Sequence, residues 1–560
     1  MIHRRLLTLC VLLLPAVTLA MSFEDARHLL NRTGFGATPQ GIDKFTALEW
    51  EAAVDLILSG VQTDPTTMPP YWRNEPVGGL FTLRLLALNK SGGGESARLE
   101  REAIQRKQEA QTRRRGEELR TWWWNEMIRT KSPLTERMTL FWHNHFTSEI
   151  GTVGSPELML QQNQLFRTHA LGNFANLLMT ATKDAAMIIY LDNNSNTKGS
   201  PNENYARELM ELFTLGEGQV YTEDDIRESA RAFTGWRVDQ VSKLFVFEEK
   251  LHDFGEKTFL GRKGNFNGDD IVRILLEEAR TSEFVTEKMW KMFISDEPHP
   301  AEVERLAKIF RDSKYELKPL MRAILTSDHF RGPANRGNMI KSPVDLVVGA
   351  CRTFEAHPAQ AQQMSAYGKL LGQDLFQPPD VAGWKGGAFW IDANMLITRH
   401  KLAHLVLATP DPAYIKRYEQ QLKQRKIAAL KAEQERRDID RLLKSQSSAL
   451  DNLLGGDDDD LGFGDEFAAD FGSSTDTTSL AFAVDDALAG VVKPEELVKR
   501  EMQNMKTMDL QKWAKEVGLA DNPERLKQIL LPIQPVHQSD SMEAYAMVSS
   551  LMLDPAYQLK

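Results

Sequence analysis

The sequence predicts a mainly α protein with a large helical domain and at most a small β-hairpin. Three observations lead to this fold class. Apolar residues recur at helical spacing through most of the 560 residues, strand-like alternation is scarce, and helix-start signals open several apolar runs. With 42% hydrophobic residues, a chain of this length can bury a sizeable core.

The chain begins with a segment typical of an export signal. A short basic start ending at Arg4 and Arg5 precedes an apolar run from Leu6 to Ala20. This run is shorter than the roughly 20 apolar residues that a membrane-spanning helix needs. Residues 1–20 are therefore predicted to be a signal peptide cleaved near Ala20, which makes the protein periplasmic or secreted and leaves no retained membrane span.

Local signals then place the first elements of a helical core domain over residues 22–410. Residues 22–60 predict two helices around a turn that starts at Gly34. Residues 95–130 predict a long, exposed, charged helix that enters the core at its end, where three tryptophans follow one another. Ser132 followed by Pro133 indicates the start of the next helix.

Further along the core domain, the pattern from Thr222 to Asp225 is that of a capping box, which opens another helix. The most strand-like stretch follows it, from Gly235 to Glu248, and predicts the small hairpin. After removal of the leader only Cys351 remains, so an intramolecular disulfide is excluded.

The last part of the chain differs in composition from the core. Residues 411–450 are rich in Lys and Arg and predict a basic exposed helix. Residues 451–490 are acidic and contain many Gly and Ser residues, which predicts a disordered linker. Residues 491–560 predict a short helical C-terminal segment. The net charge is −10 and the core has no broad basic excess, which argues against a nucleic-acid-binding function.

A helix over residues 202–216 would have two chemically opposite faces. At about 100° per residue, the polar residues share an arc of roughly 140° and the apolar residues fill the other side. The polar stripe consists of Glu203, Asn204, Arg207, Glu208 and Glu211. Such a stripe can bind a divalent cation or a polar ligand, or it can face water with Arg207 bridging Glu203 and Glu211 at i,i+4 spacing.

His143 and His145 are the histidines most typical of metal ligands. They are two residues apart and diverge by about 200° on a continuous helix, so both reach one ion only if the helix ends or distorts near Asn144. Together with Glu208 and Glu211 they would suit manganese, iron or another divalent ion. A structural role for both imidazoles is the competing interpretation.

Residues 192–203 carry oxygen-bearing side chains at the spacing of a calcium loop, from Asp192 at the first position to Glu203 at the twelfth. The sixth position is Thr197, where such a loop needs glycine for its sharp turn. The favoured interpretation is an Asn-rich turn that caps the following helix.

Two further groups complete the candidates. His252 and Asp253 could form a proton-transfer pair, although a surface turn is the simpler interpretation. Trp384 and Trp390 could line a sugar-binding groove, but the favoured interpretation is that both side chains anchor the loop in the core. The candidate catalytic residues are His143, His145, Arg207, Glu208, His252 and Asp253. The candidate metal ligands are His143, His145, Asp192, Glu203, Glu208 and Glu211.

Several short motifs occur in a fixed order along the chain. They are Gly34-Phe35-Gly36, Phe141-Trp142-His143-Asn144-His145-Phe146, the stretch from Asn202 to Gly216, Ala230 to Trp236, His252-Asp253, Lys341-Ser342-Pro343, and Pro378-Pro379-Asp380-Val381-Ala382-Gly383-Trp384. Together they resemble the domain of unknown function 1800 family over about residues 22–405. The resemblance implies a mostly helical, exported bacterial protein without an established reaction. It also implies a sulfatase-like partner of the domain of unknown function 1501 family.

Two functions of different class follow from these residues. The first is an exported helical binding or assembly protein whose polar stripe contacts a partner. The second is a periplasmic or secreted enzyme that depends on a divalent metal ion and performs hydrolytic or oxidative chemistry on an unknown substrate, for which a glycan is one option. A bound metal ion is the cofactor that only the second function requires.

Overall fold

The computed structural model describes residues 20–75, 77, 94–218, 220–354, 361–407, 513–515, 518–519, 522–537 and 544–560. These residues all belong to one compact unit, built from residues 1–407 together with residues 510–560. The predicted leader up to residue 19, the basic helix over residues 411–450 and the acidic linker over residues 451–490 lie outside the described residues.

Helices dominate the described residues, which confirms the predicted mainly α class. The first group comprises α1 (Phe23–Thr33), α2 (Pro39–Thr46), α3 (Trp50–Ser59), α4 (Glu95–Arg129), α5 (Pro133–His145), α6 (Ile150–Val153), α7 (Pro156–Thr168), α8 (Phe174–Ala181), α9 (Ala185–Tyr190), α10 (Asn204–Glu208) and α11 (Glu223–Ala232). The second group comprises α12 (Gly268–Glu277), α13 (Ala279–Phe293), α14 (Pro300–Asp312), α15 (Leu317–Leu325), α16 (Asp328–Arg331), α17 (Pro343–Thr353), α18 (Ala361–Leu370), α19 (Ala393–Leu407), α20 (Pro523–Leu530) and α21 (Ala544–Leu553). Among these residues, no helix is both long and apolar enough to cross a bilayer.

The N-terminal region contains three helices where the sequence predicts two. The turn at Gly34 separates α1 from α2, as expected, but a second break at Ala47 to Glu49 separates α2 from α3. The signal for the second break is weak because Glu49 precedes α3 without forming a side-chain cap.

The long helix α4 begins and ends where the sequence predicts. Its first part is charged and largely exposed, whereas Trp123 and Trp124 near its end are fully buried. The next helix, α5, starts with Pro133 as predicted, but the Ser132 hydroxyl does not cap it. That hydroxyl instead pairs with the Thr135 hydroxyl at 2.6 Å. At α11 the predicted capping box between Thr222 and Asp225 is formed on both sides.

The predicted hairpin is confirmed, and a second one follows it. Strand β1 (Trp236–Val238) pairs antiparallel with β2 (Phe245–Phe247), with Trp236 opposite Phe247. Strand β3 (Lys257–Phe259) pairs with β4 (Arg262–Gly264) through a two-residue turn in which Leu260 and Gly261 both have positive φ. Positive φ at both central positions is the geometry of a type I′ turn, usually signalled by Asn-Gly or Asp-Gly. The Leu-Gly pair here lacks that signal, so the sequence did not predict the second hairpin.

The C-terminal segment packs into the same unit as the core helices. Helix α21 contacts α19 and α20, and Leu559 forms an isolated antiparallel bridge with Ile340 just before α17. Tyr557 and Lys560 are buried there. The end of the segment thus completes the surroundings of α17.

Candidate functional site

The stretch that carries the polar stripe is helical but not uniformly α-helical. Helix α10 continues directly into a π-helix over Leu209–Thr214. Apolar residues of the stretch are buried, whereas every residue of the polar stripe is exposed or half-buried, so the two predicted faces are confirmed. Leu212 departs from the pattern and is half-buried, because a π-helical turn holds more residues than an α-helical turn and rotates the later positions.

Three side chains hold the carbonyl groups at the end of this π-helix. Lys288 Nζ donates to the Leu212 carbonyl at 2.8 Å, and Arg280 Nε donates to the Leu215 carbonyl at 3.0 Å. His145 Nε2 lies 3.0 Å from the Phe213 carbonyl. Carbonyl groups at a helix end lack partners within the helix and are stabilised by such donors. His145 therefore connects the end of α5 to the end of the π-helix.

Arg207 organises one side of the polar stripe. Its guanidinium lies 3.3 Å from Glu203, 3.4 Å from Glu211 and 2.8 Å from Glu223 of the next helix. The hydrogen bond to Glu223 is the main reason why the pKa of Arg207 is raised. These groups retain substantial contact with solvent, so the network contributes little to stability and mainly fixes the position of Arg207.

Glu208 belongs to the same stripe but takes no part in this network. Among the described residues, its half-buried carboxylate has no hydrogen-bond or ion-pair partner. Burial, followed by the charge of Glu211, raises its pKa above the ordinary value. A half-buried carboxylate with a raised pKa beside other acidic groups is a candidate for ligand binding.

Tyr190, at the end of α9, is near Glu208. Burial first, and then the charges of Glu149, Asp380 and Glu208, raise the pKa of its phenol to about 12. Within the described part of the chain the Tyr190 hydroxyl also lacks a hydrogen-bond partner. We call the group formed by Glu149, Tyr190, Glu208 and Asp380 the Tyr190 surface.

The other carboxylates of the Tyr190 surface are held in place locally. The Asp380 carboxylate accepts from the Ala382 amide at 2.9 Å, and Glu149 accepts from the Thr152 hydroxyl at 2.7 Å and from the Gln377 amide. Glu149 follows the His-rich motif, and Asp380 lies in the Pro-Pro-Asp motif. Two stretches far apart in sequence therefore lie close enough to Tyr190 for their charges to act on its phenol.

His143 lies inside the core rather than on a surface. Its ring is 4% exposed and packs against Trp123, Phe166 and Phe376. The Nε2 atom lies 3.1 Å from the side-chain amide nitrogen of Asn163. Burial is the largest cause that lowers the pKa of His143 well below its ordinary value, followed by the charge of Arg167. The imidazole is therefore held neutral.

His145 is also buried but has different neighbours. Its ring lies among Phe141, Trp142 and Phe146, and its Nδ1 atom has no partner. Burial, with the charge of Lys288, lowers the pKa of His145 well below its ordinary value. Because α5 ends at His145 and the two imidazoles bond to Asn163 and Phe213 respectively, His143 and His145 do not face a common position.

The remaining candidates form two further local groups. The His252 ring donates through Nδ1 to the Thr234 carbonyl at 2.8 Å, while the Asp253 carboxylate pairs with Arg231 at 2.7 Å. Asp192 has φ 56°, and its carboxylate accepts from the side chains of Ser195 and Asn202 at 3.0 and 3.2 Å.

The loop that starts at Asp192 has the arrangement of an Asn-rich turn. The Asn202 side chain accepts from the Asn204 amide at 3.0 Å at the start of α10, and Asn204 donates back to the Leu191 carbonyl at 3.0 Å. Glu203 points to Arg207 rather than to Asp192. In the part of the chain that the structure describes, no group of three or more His, Cys, Asp or Glu residues could hold a metal ion.

The tryptophans of the Pro/Gly loop are both buried. Trp384 and Trp390 are each 6% exposed, and the Asn144 side chain accepts from the Trp384 amide at 2.6 Å. Gly383 lies so close to Asn144 that an added Cβ would come 2.4 Å from its Oδ1 atom. The Trp384 backbone thus attaches the loop to the end of α5, and the burial of both rings agrees with their interpretation as core anchors.

The structure therefore brings together four predicted residues of the polar stripe: Glu203, Arg207, Glu208 and Glu211. It adds four residues that the sequence analysis did not name as site candidates: Glu149, Tyr190, Glu223 and Asp380. Glu149 and Asp380 lie within or next to recognisable motifs, so a search of each motif for acids would have found them. Tyr190 gave no such signal, because it ends an apolar run.

Comparison with known proteins gives one family. The model of the family described as protein of unknown function (DUF1800) matches residues 28–558. The match extends well past residue 405, where the resemblance carried by the short motifs ends. A search of curated proteins and a search of solved structures each found no match. Since the match covers nearly the whole chain, the protein belongs to the DUF1800 family of proteins of unknown function.

Proposed function

We propose that this protein is an exported helical binding or assembly protein that contacts its partner through the Tyr190 surface. The observation that carries the proposal is that the half-buried Glu208 carboxylate has a raised pKa and no partner among the described residues. Its neighbours Glu203 and Glu211 are both paired with Arg207, whereas Glu208 is half-buried and has no partner among the described residues. Burial has removed part of its hydration without supplying a donor in return.

The chemistry of the surface indicates which groups a partner would present. Ionised carboxylates only accept hydrogen bonds, and three of the four residues of the Tyr190 surface are carboxylates. The groups that match them are ammonium, guanidinium or hydroxyl donors. Such donors occur on basic peptides and on amino sugars. A bound cation would also lower the raised pKa of Glu208, because an opposite charge favours the ionised form.

The test uses titration calorimetry with oligosaccharides of glucosamine, which carry both ammonium and hydroxyl groups, and with a lysine- and arginine-rich peptide. At least one probe is expected to bind the unmodified protein, and Glu208→Gln and Tyr190→Phe are expected to weaken that binding. Glu304→Gln is the matched control, because Glu304 is exposed on α14. Absence of binding by both probes, or equal binding by Glu208→Gln and the control, refutes the proposal.

Export is supported by the composition of residues 1–20 and is tested separately. Expression of the full chain in a Gram-negative host, followed by fractionation and N-terminal sequencing, is expected to give a periplasmic or secreted product that begins near Met21. A cytoplasmic product that retains Met1 would contradict it. The sulfatase-like partner stays a prediction, which co-purification of the two proteins from the native cell would test.

A divalent-metal-dependent enzyme, hydrolytic or oxidative, is the second candidate. The observation in its favour is again Glu208, because a carboxyl group with a raised pKa beside further carboxylates can act as a general acid. Metal analysis of protein purified without chelators tests it. A stoichiometric ion that is lost in Glu208→Ala supports the enzyme, and a metal-free protein argues against it.

A further inference from the structure

A small cavity of about 20 Å³ lies between the start of the chain and its C-terminal segment. It is lined by Phe35 and Gly36 of the turn after α1, by Lys341 and Asp345 at the start of α17, and by Tyr557 and Lys560. A volume of this size holds one water molecule or one monatomic ion. None of these residues belongs to the Tyr190 surface.

Asp345 is the carboxylate of this region, and both of its oxygens are already used. One oxygen pairs with Arg137, and the other pairs with Lys560 and accepts from the Ser342 amide at 3.2 Å. Burial alone would raise the pKa of Asp345, but the charges of Arg137 and Lys560 outweigh it and hold the pKa well below its ordinary value. Asp345 is therefore a fully paired anion.

The cations around the cavity outnumber this single carboxylate. Arg399 donates to the Gln558 side chain and to the Lys341 carbonyl, both at 2.9 Å. Arg32 donates to the Asn335 carbonyl and the Asn338 side chain, both at 2.6 Å. Both guanidinium groups are buried and, among the described residues, neither pairs with a carboxylate. Burial is the largest cause that lowers the pKa of Lys341 to about 7 and that of Lys560 to about 8, and the charges of Arg399 and Arg32, respectively, lower these pKa values further.

The two lysines that line the cavity retain unused donors. Lys341 Nζ donates to the Tyr557 carbonyl at 2.7 Å and lies 4.0 Å from the centre of the Tyr557 ring. Lys560 Nζ donates to Asp345. An ammonium group has three N–H donors, so two on each lysine have no partner in the described part of the chain.

We propose that the cavity binds one small monovalent anion of halide size, held between the ammonium groups of Lys341 and Lys560. The proposal rests on three independent features: a cavity of suitable volume, unused N–H donors on the two lysines that line it, and an excess of buried positive charge. An anion satisfies both the donors and the charge, whereas a water molecule satisfies only the donors. Burying unpaired cations is costly, so a counterion in this position stabilises the folded protein.

The structure also indicates why the anion must be small. Gly36 and Gly349 lie in contact, and a Cβ added at Gly36 would come 2.9 Å from the Gly349 Cα atom. This close approach of α17 to the turn after α1 narrows one side of the cavity. Phosphate or sulfate, each with five heavy atoms, would need that backbone contact to open, whereas chloride and bromide would not.

The first test compares melting temperatures in sodium chloride and in sodium gluconate at equal ionic strength. Because a ligand that binds only the folded state stabilises it by mass action, the melting temperature is expected to rise with chloride concentration and not with gluconate. Lys341→Met keeps most of the length of the side chain and removes its charge, so it is expected to weaken chloride binding about tenfold or more. Lys318→Met, at an exposed position of α15, is the control and is expected to keep the full chloride response.

The second test locates the ion directly. Crystals grown in sodium bromide are expected to show a bromide anomalous peak within hydrogen-bond distance of Lys341 Nζ and Lys560 Nζ. If Lys341→Met fails to fold, this measurement on the unmodified protein still decides. No peak at this position in saturating bromide, or equal melting temperatures in chloride and gluconate, overturns the proposal and indicates that the lysines are neutral and hydrated.

Discussion

Replacing Arg167 by methionine tests the interpretation that His143 belongs to a structural network. Arg167 pairs with Glu136 through two bonds, from Nε at 2.7 Å and from Nη2 at 2.9 Å. Trp123 also donates to Glu136 at 2.9 Å, and Arg167 donates to the Asn163 side chain, which contacts His143, at 2.7 Å. The side chains of both Arg167 and Glu136 are 1% exposed.

The expected loss follows from this burial. Arg167→Met leaves the Glu136 carboxylate buried with Trp123 as its remaining donor and removes one partner of Asn163. Breaking a buried ion pair in this way costs about 3–5 kcal/mol, a large part of the roughly 5–15 kcal/mol by which a typical domain is stable. Replacing both charges, as Glu136→Leu with Arg167→Met, is expected to recover much of the loss because no buried charge is left unpaired.

The assay is urea unfolding at neutral pH, followed by tryptophan fluorescence and circular dichroism. Arg322→Met is the matched control, because Arg322 also pairs with a carboxylate, Asp55, through two bonds, but those side chains are 46% and 55% exposed. The control is expected to lose less than about 1 kcal/mol. A loss in Arg167→Met no greater than in the control would refute the reasoning, as would a double variant that is less stable than Arg167→Met.

Three further predictions concern single positions. Gly349→Ala should destabilise the protein by about 1–3 kcal/mol in urea unfolding, because the added Cβ would lie 2.4 Å from the Phe35 carbonyl oxygen. The control Gly199→Ala should have no such effect, because an added Cβ there meets no atom within 4 Å. Equal effects of the two substitutions would contradict the close packing at Gly349. Thr222→Ala should cost about 1 kcal/mol, because it removes the cap of α11; no loss of stability would show that the capping box is not needed. Burial raises the pKa of Asp184 from 3.8 to about 6. Between about pH 4 and pH 6 the folded state therefore binds more protons than the unfolded state. The contribution of Asp184 to the free energy of unfolding falls as the pH rises through this range. Asp184→Asn should remove up to about 3 kcal/mol of this pH dependence in urea unfolding, and an unchanged pH profile would contradict the assignment.

Much of the helical framework could be predicted from local signals. Pro133 at the first position of α5, the Thr222 capping box and the apolar repeat of α10 each act over a few residues, so neighbouring residues determine them. The turn from Leu260 to Gly261 and the break before Trp50 escaped prediction because their local signals are weak. The π-helix was also missed, because its carbonyl groups are held by Lys288, Arg280 and His145, which lie far away along the chain.

The sequence by itself determined the helical class, the two faces of the polar stripe and the family, because periodicity and motif order are properties of consecutive residues. Only the tertiary structure decided which polar groups are paired. It placed His143 and His145 in the aromatic core, paired Arg207 with three carboxylates and left Glu208 beside Tyr190 without a donor. Which side chains are buried, and which charges pair, depends on how helices distant in sequence pack together. The free energies of burying and pairing charges are larger than the local helix and turn propensities that a sequence pattern reflects.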